Sequence, residues 1–283
     1  MRTIATSLTL AAILATGGTV GAHADDWDKD FSVAGRPKVK IVTDDGHVDV
    51  TMGDSHHVVV KIHTTGWRIG PDGIRITPAQ DGDRVRVEVR EPHFQFGIFL
   101  TRRVQIDVIV PRELALDVDT GDGSVTLPAL EGVVRVHTGD GSIEADGATG
   151  DLRLESGDGR IRADGLQGAL YAHTGDGSLR VSGRFTRLEL SSGDGRIEAE
   201  AATGSKVAEG WDLHTGDGSI ALRIPRDLAT DLDASTGDGS IDLDLPVAVE
   251  GHIDAKQLRG RINGGGGLLR IRSGDGGIRI TTL

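Results

Sequence analysis

The chain has 283 residues, a formal net charge of −12, 3% aromatic residues and no cysteine. An acidic, aromatic-poor surface argues against nucleic acid, which needs basic grooves and stacking platforms, and against anionic lipid. Expected partners are therefore neutral, cationic or metal-bridged, and neither a disulfide framework nor a lipid-modified cysteine is available.

In chain order, residues 1–24 read as a secretory signal peptide. Arg2 supplies the charge, Ile4 to Val20 the apolar stretch, and Ala22-His23-Ala24 the cleavage motif. No later stretch has the ~18 consecutive apolar residues of a membrane span, so an exported protein, periplasmic or extracellular, is expected. Residues 25–35, opening Asp25-Asp-Trp-Asp-Lys-Asp-Phe31, read as a mobile charged lead-in. Residues 25–115 form a β region or cap whose alternations include Val58-Val60-Ile62, Val85-Val87-Val89 and Val104-Ile106-Val108-Val110. A first repeat-like element falls near 39–50, around Thr43-Asp-Asp-Gly-His-Val48. The only weak helix candidates are Arg184 to Leu190 and Thr203 to Gly210.

Residues 116–283 read as regular repeats. Thr/Ser-Gly-Asp-Gly-x-apolar recurs with aspartates at 122, 140, 158, 176 and 194, each 18 residues after the last. It returns at Asp217, Asp238 and Asp275 after gaps of 23, 21 and 37. Between motifs, apolar residues alternate with polar ones, as in Ile143-Glu-Ala-Asp146 and Leu152-Arg-Leu-Glu155, so each repeat offers two short strands with one buried face. Like residues recur at like positions, which is one structural unit stacked on itself. The fold class is all-β: a parallel β-solenoid with rungs of about 18 residues, right-handed, with an irregular N-terminal β cap. Gln257 to Ile262 reads as a decayed motif, and Leu269 to Ile280 as the closing rung. The glycine pairs Gly121/Gly123, Gly139/Gly141, Gly157/Gly159, Gly175/Gly177 and Gly193/Gly195 are structural turn residues. Positive φ is the expected reason for them, with each Asp bonding its own backbone.

These motifs, together with Arg103-Val-Gln-Ile-Asp-Val-Ile-Val-Pro111, resemble the putative-adhesin family of bacterial domains. The resemblance covers roughly Val39 to Ile280. It implies an all-β solenoid on exported or envelope proteins, with adhesion as the suggested role and no catalytic residues to carry over.

Among candidate sites, the column Asp122, Asp140, Asp158, Asp176 and Asp194 is a possible calcium ladder. The β-roll pattern, with its nine-residue period, and the EF-hand both fail to fit it. Calcium is not expected to be required, and no cofactor is implied. His137, Glu155 and His173 form a second column, which zinc would need to bring within about 2 Å of the ion. Two residues of each second strand point outward, and that face carries the chain's only tyrosine. Tyr and Arg anchor interfaces, so a ligand is expected near Arg153, Tyr171, His173 and His137. Phe94, Phe96 and Phe99 offer a competing apolar tip. The outward pairs Glu144/Arg162 and Arg180/Glu198 read as a self-compensating first-strand face. No acid stands out from its column and no hydrolase or phosphate motif occurs, so no enzyme is expected. The leading reading is a binding or adhesin-like scaffold whose partner is a protein or glycan of the envelope. An envelope structural or stress-regulatory protein acting through a protein partner, and a carbohydrate-active β-helix enzyme, are the alternatives.

Overall fold

A computed structural model describes residues 24–92, 102–245, 249–253 and 256–283. The signal-peptide reading and the phenylalanine tip lie outside them. No helix occurs among the described residues, and the weak helical candidates are instead the strand Leu179–Ser192 and an irregular segment.

Two faces of stacked, mostly parallel strands enclose one apolar core. On the second-strand face, Glu113–Thr120, Glu131–Thr138 and Thr149–Ser156 pair in parallel, and Leu116, Val134 and Leu152 fall in one register. The partner of Thr149 on the next strand is Gln167. The strands Ile161–Thr174 and Leu179–Ser192 are long enough to run from one face to the other. On the first-strand face Val125, Ile143, Ile161, Leu179 and Ile197 align, all buried. Alternation does this work, since every second side chain of a strand points inward. Ala145, Ala163, Ala172 and Ala199 are buried as well, so the core includes small residues.

The glycine-rich turns are held differently from the sequence expectation. None of the ten motif glycines (Gly121, Gly123, Gly139, Gly141, Gly157, Gly159, Gly175, Gly177, Gly193 and Gly195) has positive φ. In these rungs that conformation appears in the other turn, as at Gly147 (φ 70°). The motif glycines are required by stacking. A Cβ on Gly159 would lie 1.9 Å from the carbonyl oxygen of Gly141 one rung below, and one on Gly157 would lie 2.5 Å from that of Gly139. Further along the stack the correction is the same, even where the motif glycine is only half-buried. A Cβ on Gly177 would lie 2.1 Å from the Gly159 carbonyl oxygen, and one on Gly195 would lie 1.9 Å from that of Gly177.

Nor do the motif aspartates close the turn: among the described residues, Asp122, Asp140, Asp158, Asp176 and Asp194 are exposed and make no side-chain hydrogen bond. The residue that precedes each Gly-Asp-Gly does that work. The buried Thr138 hydroxyl donates to the Gly123 carbonyl of the previous rung at 2.9 Å and accepts from the Gly141 N–H at 3.2 Å. Ser156 and Thr174 repeat the pattern, and Ser192 does so between the Gly177 carbonyl and the Gly195 N–H. Each buried hydroxyl satisfies its own turn and ties it to its neighbour.

Both ends of the stack are interleaved. Lys38–Thr43 and His47–Met52, the expected early rung, pair on one side with Glu113–Thr120 and Val125–Leu127. On the other side they pair with Arg84–Arg90 and Arg103–Val110. The cap is thus continuous with the stack and its strands are in register. At the other end, Leu268–Ser273 and Ile278–Thr282 do not close the stack. They sit between Trp211–Thr215/Ile220–Ile224 and Thr230–Thr236/Ile241–Asp244. Gln257–Ile262 is no decayed parallel rung either; it pairs antiparallel with Thr230–Thr236 and Val249–Ile253.

The lead-in is also ordered. Ala24–Ser32 pairs antiparallel with His57–Thr65 along its length, and Phe31 is buried. His57 Nδ1 lies 2.8 Å from Asp30 Oδ1. That hydrogen bond, then the charges of Asp30 and Asp54, raises the His57 pKa above its ordinary 6.5. A raised folded-state pKa stabilises fully below 6.5, and the contribution is lost as pH rises through the raised value. NMR titration of His57 is expected to give a pKa above 6.5 that returns towards it in Asp30→Asn. An unshifted titration in the parent would show that the contact does not persist in solution.

Candidate functional site

The second-strand face is built from the outward positions of successive rungs. Register places Arg135, Arg153, Tyr171 and Glu189 in one column, and His137, Glu155, His173 and Ser191 in the next. The Arg153 guanidinium lies 4.2 Å from the centre of the Tyr171 ring, within cation–π range. Its Nη2 donates to Glu155 Oε1, and that hydrogen bond raises the Arg153 pKa. Arg187 Nε donates to Glu189 at 2.9 Å. Around them lies an open groove of about 530 Å3 whose lining includes Arg135, Arg153, Tyr171, Arg187, Glu189 and Glu209.

Four residues were expected to act together, and two of them touch. Arg153 and Tyr171 both line the groove, while His137 and His173 stand outside its lining, on either side of Glu155. Glu209 was missed by the sequence reading. It comes from the irregular segment between Ala201 and Trp211. The 23-residue spacing from Asp194 to Asp217, instead of 18, is the sequence signal for that insertion.

Residues 37–281 match the family described as Toastrack DUF4097. The chain belongs to the Toastrack DUF4097 family. Among curated proteins, none matches it. Solved structures similar to this Toastrack chain include a putative adhesin from Parabacteroides merdae (13% identity, 90% of this chain and 95% of that one, TM-score 0.43). Another putative adhesin, from Bacteroides fragilis, is 15% identical over 92% and 97% of the two chains, with a TM-score of 0.38. A putative cell adhesion protein from Clostridium sporogenes is 12% identical over 92% and 100%, with a TM-score of 0.32.

Two further features of the Toastrack chain bear on chemistry. Among the described residues, no three His, Asp or Glu side chains stand close enough to hold a metal ion. The motif carboxylates rise one per rung, and neither Arg160 nor Arg196 forms an ion pair with them. Neighbours about 4.8 Å apart repel by roughly 0.9 kcal/mol in water, a cost that the ladder bonds on either side can carry.

The second feature corrects the expectation that no acid stands out. Glu91 is half-buried, and burial, followed by the charges of Asp45 and Asp44, raises its pKa. It lines a cavity of about 690 Å3 with Asp45, His47, Trp67, Arg102 and Asp122, at the N-terminal end of the aspartate column. The Arg102 guanidinium lies 4.3 Å from the Trp67 ring centre. Finally, no helix among the described residues is long and apolar enough to cross a membrane.

Proposed function

We propose that this chain is a non-enzymatic binding scaffold, exported to the periplasm or outer surface of a bacterial cell after loss of residues 1–24. In this reading the stack is a right-handed β-solenoid whose rungs hold about 18 residues, matching the Glu131-to-Thr149 register. It engages a protein or glycan of the envelope along the second-strand face, at Arg153 and Tyr171, with His173 and His137 at the margin. Calcium is not required.

The observation that carries this reading is the Arg153–Tyr171 contact in its groove. A planar cation stacked on the chain's one tyrosine is preorganised, so little side-chain freedom is lost on binding. The groove also presents both charge signs, from Arg135 and Arg187 to Glu189 and Glu209. That suits a polar partner with oriented hydrogen-bonding groups. Membership of the Toastrack family brings no activity with it, and the repeated columns offer interaction surface along their length.

Capture from envelope extract supplies the partner for the test. Arg153→Ala with Tyr171→Ala is expected to weaken the partner's binding at least tenfold, about 1.4 kcal/mol, while leaving the melting temperature close to that of the parent. Normal binding by this double variant would remove the site. Loss through Phe96→Ser instead would transfer it to the phenylalanine-rich segment.

A further inference from the structure

The opposite face carries a second surface, and its charge contradicts the chain as a whole. The residue after each Gly-Asp-Gly stacks into a column that runs Ser124, Ser142, Arg160, Ser178, Arg196, Ser219, Gly277, Ser240. Successive backbone bonds fix this order, from Val125 N–H to Ser142 and Ile143 N–H to Arg160, up to Ile278 N–H to Ser240. Beside it the outward column reads Glu144, Arg162, Arg180, Glu198, Ala221, Arg279, Asp242. Serine and glycine are short, so the first column is the floor of a trough and the second is its wall. One groove of about 330 Å3 runs from Glu144 to Glu198. Another of about 310 Å3 runs on to Asp242, and the two share Arg196. Their linings hold five arginines against three carboxylates, on a chain of net charge −12.

The face compensates itself only in part: Arg180 meets Glu198 as the sequence suggested, and Arg279 pairs with Asp242 at 3.1 Å, but Arg162 does not meet Glu144. Arg162 lies in register with Arg180 as well as with Glu144, and it pairs with Asp164 instead of Glu144, at 2.7 Å. Arg180 Nε donates to Glu198 at 2.9 Å. Glu198 is thereby already held, and Arg196 reaches it only at 3.5 Å. Arg160 has no hydrogen bond or ion pair among the described residues. Arg160 and Arg196 are both exposed and both line the groove, two rungs apart (about 9.6 Å of backbone spacing), with Ser178 on the rung between them.

We infer that this trough binds a linear anionic glycan laid along the stack, with Arg160 and Arg196 each taking a uronate or sulfate group and the serine column meeting sugar hydroxyls. The guanidinium fork matches both carboxylate and sulfate oxygens. Spacing sets the class of polymer. Nucleic acid carries a charge every ~3.4 Å along each strand, which would set phosphates against Glu144, Glu198 and Asp242. The trough has no aromatic side chain on which bases could stack. A glycan with an anion only on some sugars can place charge at the two arginines and hydroxyls opposite the acids. The length of the trough favours a polymer over a single small anion.

The test uses the full mature chain and named probes: hyaluronan for carboxylates on alternate sugars, a kappa-carrageenan oligosaccharide for sulfates on alternate sugars, dextran as the neutral control, and single-stranded DNA and phosphatidylglycerol vesicles as other polyanions. At least one of the two anionic glycans is expected to bind, more weakly as salt rises, while dextran, DNA and vesicles bind at least tenfold more weakly. Arg160→Ser with Arg196→Ser uses the residue already found in the same column on other rungs, so it should fold as the parent does. It is expected to lose at least tenfold in affinity for the bound glycan, whereas Arg153→Ala with Tyr171→Ala keeps it. Failure of both glycans to exceed dextran, undiminished binding by the double serine variant, or equal binding of DNA or vesicles would overturn the assignment. The second-strand site is tested separately and stands or falls without this result.

Discussion

Gly159→Ala is expected to destabilise the chain by about 3 kcal/mol, at the upper end of overpacking costs, or about 6–12 °C in Tm. The added methyl would sit 1.9 Å from the Gly141 carbonyl oxygen and 2.7 Å from Ser156 Oγ. Neither can retreat. The carbonyl accepts the Ser156 hydroxyl at 2.9 Å, and that hydroxyl in turn accepts the Gly159 N–H at 2.9 Å. Parallel strands on both sides fix the rung spacing at about 4.8 Å, so relief requires rungs to part. Gly82→Ala is the matched control. Gly82 has φ +57° and open space around it, and its substitution is expected to cost about 1 kcal/mol from conformation alone. Chemical denaturation of both variants orders the two effects. Equal or reversed losses would mean that backbone angle, and not close stacking, selects glycine in the motif.

That distinction shows where the sequence was legible. Apolar columns such as Val118, Val136 and Leu154 were readable because alternation and an 18-residue period point to the same register. Glycine was readable as a structural residue but not for its reason. It serves positive φ and close approach equally well, and only the neighbouring rung tells them apart, as Gly159 does for Gly177 and Gly177 for Gly195. Thr138 and Ser156 passed unnoticed because a hydroxyl in a turn looks solvated until the rung below supplies its acceptor. The order of rungs was not legible at all. Every rung presents the same columns, so residues 268–282 match the top of the 211–224 rung as well as the 230–244 rung does. Of the site, Arg153 above Tyr171 followed from register. The arginine trough did not, because net charge averages over faces and because the position after Gly-Asp-Gly reads as a turn in any single repeat.

The interleaved end leads to the second large expected effect, removal of residues 265–283. In a simple stack, loss of the terminal rung shortens the solenoid by one unit and exposes one new edge. Here the missing strands are flanked on both sides. Leu269, Ile271, Ile278 and Ile280 are all buried, each worth roughly 1.5–3 kcal/mol, a large part of a whole domain's stability of about 5–15 kcal/mol. Without them the 211–224 and 230–244 rungs face one another across two rung spacings, about 9.6 Å, too far to hydrogen-bond. Two rows of unpaired backbone are left in place of one. The shortened chain is therefore expected to lose hydrogen-exchange protection from residue 230 onward while the rungs from 113 to 201 keep theirs, since a repeat stack is stabilised rung by rung. A synthetic peptide of residues 265–283 should restore protection to Thr230–Thr236 when added, because the slot it fills is specified on both sides. Retained protection at 230–244 in the shortened chain would mean that this rung can re-pair directly with 211–224, and that the inserted strands are not what holds it.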